Sequence, residues 1–369
     1  MNMIKMLIVP VIFFSVTSGI AAIGDVQRLK RIGSKVVIVY FLMTVIACIV
    51  GIVMVNITHP GVGFTLDNMQ AFDTSKVKTP SFVNFLFDMV PVNIVDSMAK
   101  NQIMQMIFFT VLVGVALVSL GEKVAGVTKI FDQCASIIYK MLDIVMLYSP
   151  IGVLALMANT TAVFGPKLFG VLAKFVFTDW VGCLLIWFFF SGIVWLYTKV
   201  NYLEMCKSMI PIWVNTIATN SSAGTIPITL NVTTERLKVP ISIASFSIPL
   251  GATINLTGAA LYKTILAFFV AEIYGLQLTI DQILMVIIII STIMSIAAPG
   301  IPGGGIVTGA IFLNLLGLPM DLMGPIAGMY RLIDMSHTTV NVSGDVLGTM
   351  LVAKNENIWT GEDFNKTLV

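Results

Sequence analysis

The chain has 369 residues, of which 57% are hydrophobic and only 11% charged, with a mean hydropathy of +0.96 and a net charge of +2. A soluble domain carries about a quarter charged residues, so this composition excludes an ordinary soluble domain and reads as an all-α polytopic membrane protein. The small net charge gives no basis for nucleic-acid binding, and with no GxxxxGK[S/T] loop nothing points to ATP as an energy source.

A membrane-crossing helix needs about 20 apolar residues. Such runs are predicted at 3–23, 36–57, 102–120, 142–163 and 168–198. The first, with Ala21-Ala22 behind an apolar stretch, also has the outline of a secretory leader. Only Lys5 precedes it, however, while Arg28, Lys30, Arg31 and Lys35 follow it, as at the cytoplasmic end of a retained span. Residues 58–101 form a polar loop with Pro60, Pro80 and Pro91. Its carboxylates Asp67, Asp73, Asp88 and Asp96 outnumber its lysines, which suits the outer side. Cys48, Cys134, Cys183 and Cys206 show no CxxC spacing and read as packing thiols.

The second half is organised differently. Ser208–Thr234 carries no charge and is interrupted by Asn220-Ser221-Ser222-Ala223-Gly224-Thr225-Ile226-Pro227. Gln282–Met320 is also uncharged, too long for one span, and broken by Ala297-Ala298-Pro299-Gly300-Ile301-Pro302-Gly303-Gly304-Gly305. Each arm is short for a full crossing. The pattern therefore favours two helical hairpins that enter the membrane and return (about 203–237 and 282–318) over pairs of full spans. Between them, a span at about 240–272 is interrupted at Gly251–Gly258, where unwound backbone would free carbonyl oxygens suited to a small cation. Irregular backbone at membrane depth is tolerated only where it is buried or lines a wet cavity.

The last span, about 322–353, carries Asp334, Thr338, Asn341 and Asp345 at steps of four, three and four. That spacing aligns them on one helical face. Intramembrane ionisable groups normally face a cavity or a partner, so the stripe reads as the wall of a binding site. Hairpin, broken span, hairpin, polar span is the order expected of inverted repeats, with the site at mid-depth. Neither GxSxG nor HExxH occurs, so no hydrolase constellation is evident. A pore is a further reading of a polar stripe.

These motifs resemble the dicarboxylate/amino acid:cation symporter family, which includes the glutamate transporters. The resemblance lies in Ser221-Ser222-Ala223-Gly224-Thr225-Ile226-Pro227, in Asn255-Leu256-Thr257-Gly258, in Ser295–Gly305, and in Asp334…His337-Thr338…Asn341-Val342…Gly344-Asp345. It implies the glutamate-transporter-like fold, lacking here the span that the family places ahead of Met1. It also implies a homotrimer in the plasma membrane, embedded in lipid and working by an elevator movement. A scaffold helix would lie at 1–24, a transport-domain helix at 30–57, a loop and trimerisation helices at 58–163, the transport domain at 165–354 and a cytoplasmic tail at 355–369.

Carried over by position, the resemblance gives a substrate site of Ser221, Ser222, Leu256, Ala259, Ile301, Gly305, Asp334, His337, Thr338 and Asn341. Asp334 would hold the α-ammonium, Thr338 and Asn341 would contact the amino-acid backbone, and the two tips would receive the α-carboxylate, as helix N-termini do. The alternative for Asp334 is a salt bridge to Arg331. Sodium would be held by Gly251, Asn255, Asn341 and Asp345, and at a second site by Thr253, Ser295, Ile296 and Ala298. Asp345 as a proton carrier is the alternative there.

Departures from the family shape the substrate reading. His337 stands where acid-transporting members have an arginine, Ala259 replaces a helping threonine, and Asn220 replaces an arginine. Histidine cannot reproduce a bidentate guanidinium grip, although a charged His337 could still bind an acid or Arg331 could reach in. The expectation from sequence is thus sodium-coupled symport of a small neutral amino acid, with acidic amino acids or C4-dicarboxylates, coupled to cations or protons, as the alternative. Thr257 replaces the aspartate of a further sodium site whose other contributors resemble Tyr40 and Thr44, which implies fewer coupled ions.

Overall fold

The computed structural model describes residues 32–366 apart from 64–89, 101, 148–150, 152–153, 156–157, 159–161, 163–166, 281 and 285–302, together with residue 6 and parts of 8–21. Regular structure among them is helical throughout. The principal helices are α1 (Ser34–Thr58), α2 (Ile103–Leu120), α3 (Ala125–Leu147), α4 (Lys167–Thr198), α5 (Tyr202–Thr219), α6 (Ser222–Asn231), α7 (Ile241–Ile254), α8 (Thr257–Ile273), α9 (Gly304–Leu315) and α10 (Met323–Asn355). Among the described residues, four stretches are long and apolar enough to cross a membrane: Ser34–Thr58, Phe108–Ile138, Leu168–Thr198 and Ile241–Ile273. The fourth is 94% buried inside the protein, so its apolar surface serves a core and not lipid.

Two packing groups emerge. Thr17–Ala21 packs on α2 and α3, with Ile8–Val11 also against α3. The second group is built on α10, which touches α1 and each of α4 to α9. Small residues let helices close up without an apolar driving force from water. A Cβ on Gly51 of α1 would meet the Thr264 Cβ of α8 at 3.0 Å, and one on Gly182 of α4 would meet Leu261 at 2.9 Å.

Helix ends follow local chemistry. α1 stops at His59 in the left-handed region (φ 44°), whose N–H reaches Val55 O at 2.8 Å, and Pro60 cannot continue the helix. α5 begins under Asn201, whose side chain accepts from Glu204 N, and ends at left-handed Asn220. Ser221 then caps α6 by accepting from Gly224 N at 3.0 Å. The predicted interruption at 220–227 is therefore only the two-residue turn Asn220–Ser221, because Ser221 restarts the helix at once and α6 carries Pro227 inside it.

The break at 251–258 shrinks in the same way. α7 runs to Ile254, α8 starts at Thr257, and only Asn255 and Leu256 leave the helical path. Gly251 and Thr253 are helical, and the Gly251 carbonyl already accepts from Asn255 N. The span predicted at 142–163 corresponds, among the described residues, to the end of α3 and scattered helical positions beyond it. Residues 285–302, which hold most of the first arm and of the tip of the expected second hairpin, and most of loop 58–101 fall outside the described residues.

Residues 355–369 were expected as a tail. In the structure, Trp359 and Phe364 are buried, Trp359 Nε1 donates to Leu237 O at 3.1 Å, and Asn365 bridges Asn201 N and Lys199 O. Lys35 donates to Asn355 Oδ1 and pairs with Glu356. This segment is docked because two large apolar side chains and several backbone groups find partners there. No disulfide joins the four cysteines, and Cys48 and Cys183 are buried.

Candidate functional site

The polar stripe of α10 faces the break between α7 and α8. Asp345 is fully buried, its Oδ1 accepts from Asn255 Nδ2 at 2.8 Å, and its Oδ2 has no partner among the described residues. Asn255 Nδ2 also approaches Asn341 O at 3.4 Å, and its Oδ1 accepts from Thr257 Oγ1 at 2.7 Å. Asn341 Oδ1 in turn accepts from Gly258 N at 2.7 Å, satisfying one of the N–H groups that a helix start leaves open. Two asparagines thus stitch the break to the polar helix. A Cβ on Gly251 would overlap Asp345 Oδ1, so the glycine is what lets α7 approach the carboxylate.

The donor set fits a monovalent cation. It offers one charged oxygen without a partner and amide and carbonyl oxygens around it, all hard ligands. The structure brings Gly251, Asn255, Asn341 and Asp345 together. Thr253 spends its hydroxyl on Leu250 O at 2.7 Å. Ser295, Ile296 and Ala298 lie outside the described residues, as does Ile301.

About three turns nearer the N-terminus of α10, Asp334 meets the start of α9. Its Oδ2 accepts from Gly303 N at 3.2 Å and its Oδ1 from Tyr330 Oη at 3.3 Å. Gly303 is left-handed (φ 78°) and opens α9, so the carboxylate sits at a helix N-terminus, where negative charge is favoured. No ion pair forms between Asp334 and Arg331: Arg331 is exposed on α10 while Asp334 is buried. Gly305 lies against Tyr330, whose Oη would overlap a Cβ there.

The first hairpin turn reaches the same region. Asn220 Nδ2 donates to Arg331 O at 3.0 Å, bringing Ser221 and buried Ser222 beside α10. Leu256 and Ala259 form a small buried apolar pair at the break, and Thr338 is buried on the stripe. Trp213 and Thr216 of α5 reach Ser343 and Thr339.

His337 has a partner that sequence reading missed. Its Nε2 lies 2.8 Å from Oδ1 of Asp179, with the two side chains 1% and 0% exposed. Ser336 Oγ donates to the other oxygen at 3.1 Å, and Cys183, one turn along α4, comes within 4.8 Å of the pair. The signal was present: Asp179 is the one acidic residue in Leu168–Thr198, and a carboxylate in such a run calls for a partner. His337 also packs on Tyr262 and Tyr330, with ring centroids 5.2 and 6.2 Å away.

Tyr40, Thr44 and Thr257 each hydrogen-bond to protein acceptors: Tyr40 Oη to Ser247 O and Asp345 O, Thr44 to Tyr40 O, Thr257 to Asn255. Lys263 is buried, and its ammonium reaches Ala259 O at 3.3 Å.

Residues 1–355 match the profile of the Sodium:dicarboxylate symporter family. A proton/glutamate-aspartate symporter of Bacillus subtilis is 31% identical over 98% of this chain and 88% of its own length. A proton/glutamate-aspartate symporter of Escherichia coli is 33% identical over 96% of this chain and 83% of its own. A C4-dicarboxylate transport protein of Bacillus subtilis is 31% identical over 96% and 86%. With a buried, carboxylate-bearing site assembled around a broken helix and a match along nearly its whole length, the chain belongs to the sodium:dicarboxylate symporter family, and is a secondary symporter of the cell membrane and not an enzyme.

Proposed function

We propose that the chain is a cation-coupled symporter of acidic amino acids, glutamate or aspartate, working as a homotrimer by an elevator movement. The observation that carries this is the pair of buried carboxylates on one face of α10. Asp334 touches the start of α9, and Asp345 keeps one oxygen open beside the break. The acidic class is supported by the substrates named for the relatives, and it displaces the neutral amino acid favoured by the sequence. Asp334 selects an amino acid over a plain dicarboxylate, because a buried carboxylate attracts an ammonium and repels a second carboxylate.

Coupling follows from shared residues. A cation on Asp345 fixes Asn255 and Asn341, and through Gly258 N it fixes the start of α8 with Leu256 and Ala259. An ammonium at Asp334 competes with Gly303 N–H for the same oxygen, which ties substrate arrival to the position of the second hairpin. Each ligand therefore changes the affinity for the other, and that reciprocal change is the coupling free energy. In this reading the two hairpins are re-entrant and act as gates, with α2 and α3 in the scaffold. The cation is sodium or a proton.

Neutral amino acids remain a second reading for one reason: His337 Nε2 is already engaged by Asp179, so that nitrogen is not open to a substrate carboxylate. Uptake of radiolabelled aspartate, glutamate, alanine and malate into proteoliposomes tests both, with sodium and proton gradients imposed separately. Aspartate or glutamate uptake driven by one of the gradients is expected. Alanine or malate uptake without either acidic amino acid overturns the proposal.

A further inference from the structure

Asp179 belongs to α4, a helix to which the carried-over binding pattern assigns nothing. We propose that Asp179 is a specificity-determining residue: it holds the His337 ring as a cation and leaves its Nδ1–H to receive the side-chain carboxylate of the substrate. This deepens the acidic-substrate reading above and rests on it.

The pair is closed on one side. Both oxygens of Asp179 are used, one by His337 Nε2 and one by Ser336 Oγ, and no lysine or arginine among the described residues pairs with it. A carboxylate only accepts, so Nε2 carries a proton. A buried carboxylate with one available basic partner is held by ion pairing, since an uncompensated buried charge is the costlier state. The carboxylate also fixes the ring's orientation, as outer partners do for functional histidines.

On the other side the pair is open. Nδ1 of His337 is buried and has no hydrogen-bond partner among the described residues, and the same holds for Oη of Tyr262 on the adjacent ring. In the cationic ring Nδ1 is a second donor, so Nδ1 and Tyr262 Oη offer two donors to the two oxygens of a carboxylate. Their place suits the substrate's far end. His337 lies between Asp334 and Asn341 on α10, and the backbone of Gly258 packs so closely that a Cβ there would come 2.6 Å from His337 Cα. A substrate with its ammonium at Asp334 has its side chain directed along this stretch. The His–Asp pair thereby supplies the positive charge that arginine supplies elsewhere, in a form that sequence comparison at position 337 alone reads as a loss.

The test is uptake of aspartate and of its uncharged isostere asparagine by proteoliposomes of the wild type, Asp179→Asn, Asp179→Glu, His337→Arg and His337→Gln. In Asp179→Asn the KM for aspartate is expected to rise about tenfold or more, the worth of one charge-assisted hydrogen bond, while that for asparagine stays near wild type. Asp179→Glu and His337→Arg, which keep an anion facing a cation, are expected to retain the preference for aspartate, and His337→Gln to lose it. Equal weakening toward both substrates in Asp179→Asn, or an unchanged aspartate KM, overturns the inference while leaving the acidic-substrate function standing. If Asp179→Asn does not yield folded protein, loss of aspartate preference in His337→Arg overturns it instead. A wild type that takes up asparagine and not aspartate overturns both.

Discussion

Replacing Asp345 by asparagine removes one charge and hardly any volume, and its expected effects have opposite signs with and without the coupling cation. Without it, the wild-type carboxylate is fully buried with a single hydrogen bond, from Asn255, and no basic partner among the described residues. Burying an ion so poorly compensated costs several kcal/mol. The amide keeps an oxygen for Asn255 and carries no charge, so Asp345→Asn should melt at or above the wild-type temperature in cation-free buffer. With sodium at 100 times its Kd, the wild type gains about 2.7 kcal/mol from binding. Losing a charge-assisted contact worth about 2.7 kcal/mol weakens binding about 100-fold, and the gain at the same concentration falls to about 0.4 kcal/mol. Thermal unfolding of purified protein in sodium chloride against choline chloride reads both effects. A wild-type-sized sodium shift in the variant, or a cation-free melt well below wild type, would refute the reasoning.

Gly305→Ala is expected to cut uptake at least about tenfold, because its methyl overlaps Tyr330 Oη; Tyr330→Phe should relieve this only in part, since the ring carbon behind the hydroxyl lies 2.5 Å from the same Cβ position. Gly258→Ala should destabilise by about 1–3 kcal/mol in thermal melts, with no relief from any side-chain change, since the obstacle is the His337 backbone. Asn255→Ala leaves Asp345 without its hydrogen bond and Thr257 without an acceptor, and should cost about 1–3 kcal/mol in cation-free melts while abolishing the sodium shift. Trp359→Ala should free residues 356–366 for proteolysis, detected by mass spectrometry, with a loss of about 3–5 kcal/mol.

The helices were legible where the sequence is uniformly apolar, as in α1 and α4, because length and hydropathy suffice. The polar face of α10 was legible because a period of 3.6 places Asp334, Thr338, Asn341 and Asp345 together. The extents of the interruptions were not. Serine, glycine and threonine at 220–227 and 251–258 look uniformly breaking, but Ser221 caps α6 and the Asn341 amide oxygen accepts from Gly258 N at the start of α8, so each break closes to two residues. Contacts between distant segments were also hidden. Nothing in the spacing of α10 says that Asp334 meets Gly303 instead of Arg331, or that a carboxylate 158 positions away meets His337. That contact gives His337 a buried acidic partner which its position in the α10 pattern does not disclose.

The segment from Glu356 to Asn365 buckles one end of the helical cluster. It grips α1 through Lys35, the α4–α5 connection through Asn201 and Lys199, and the exit of the first hairpin through Leu237. Elements fastened at a common clasp translate as a single piece and cannot slide past one another at that end. On the proposed elevator reading, a fluorophore attached at Lys366 travels with Asp334 and Asp345, and its distance to a second dye on α2 reads out the stroke.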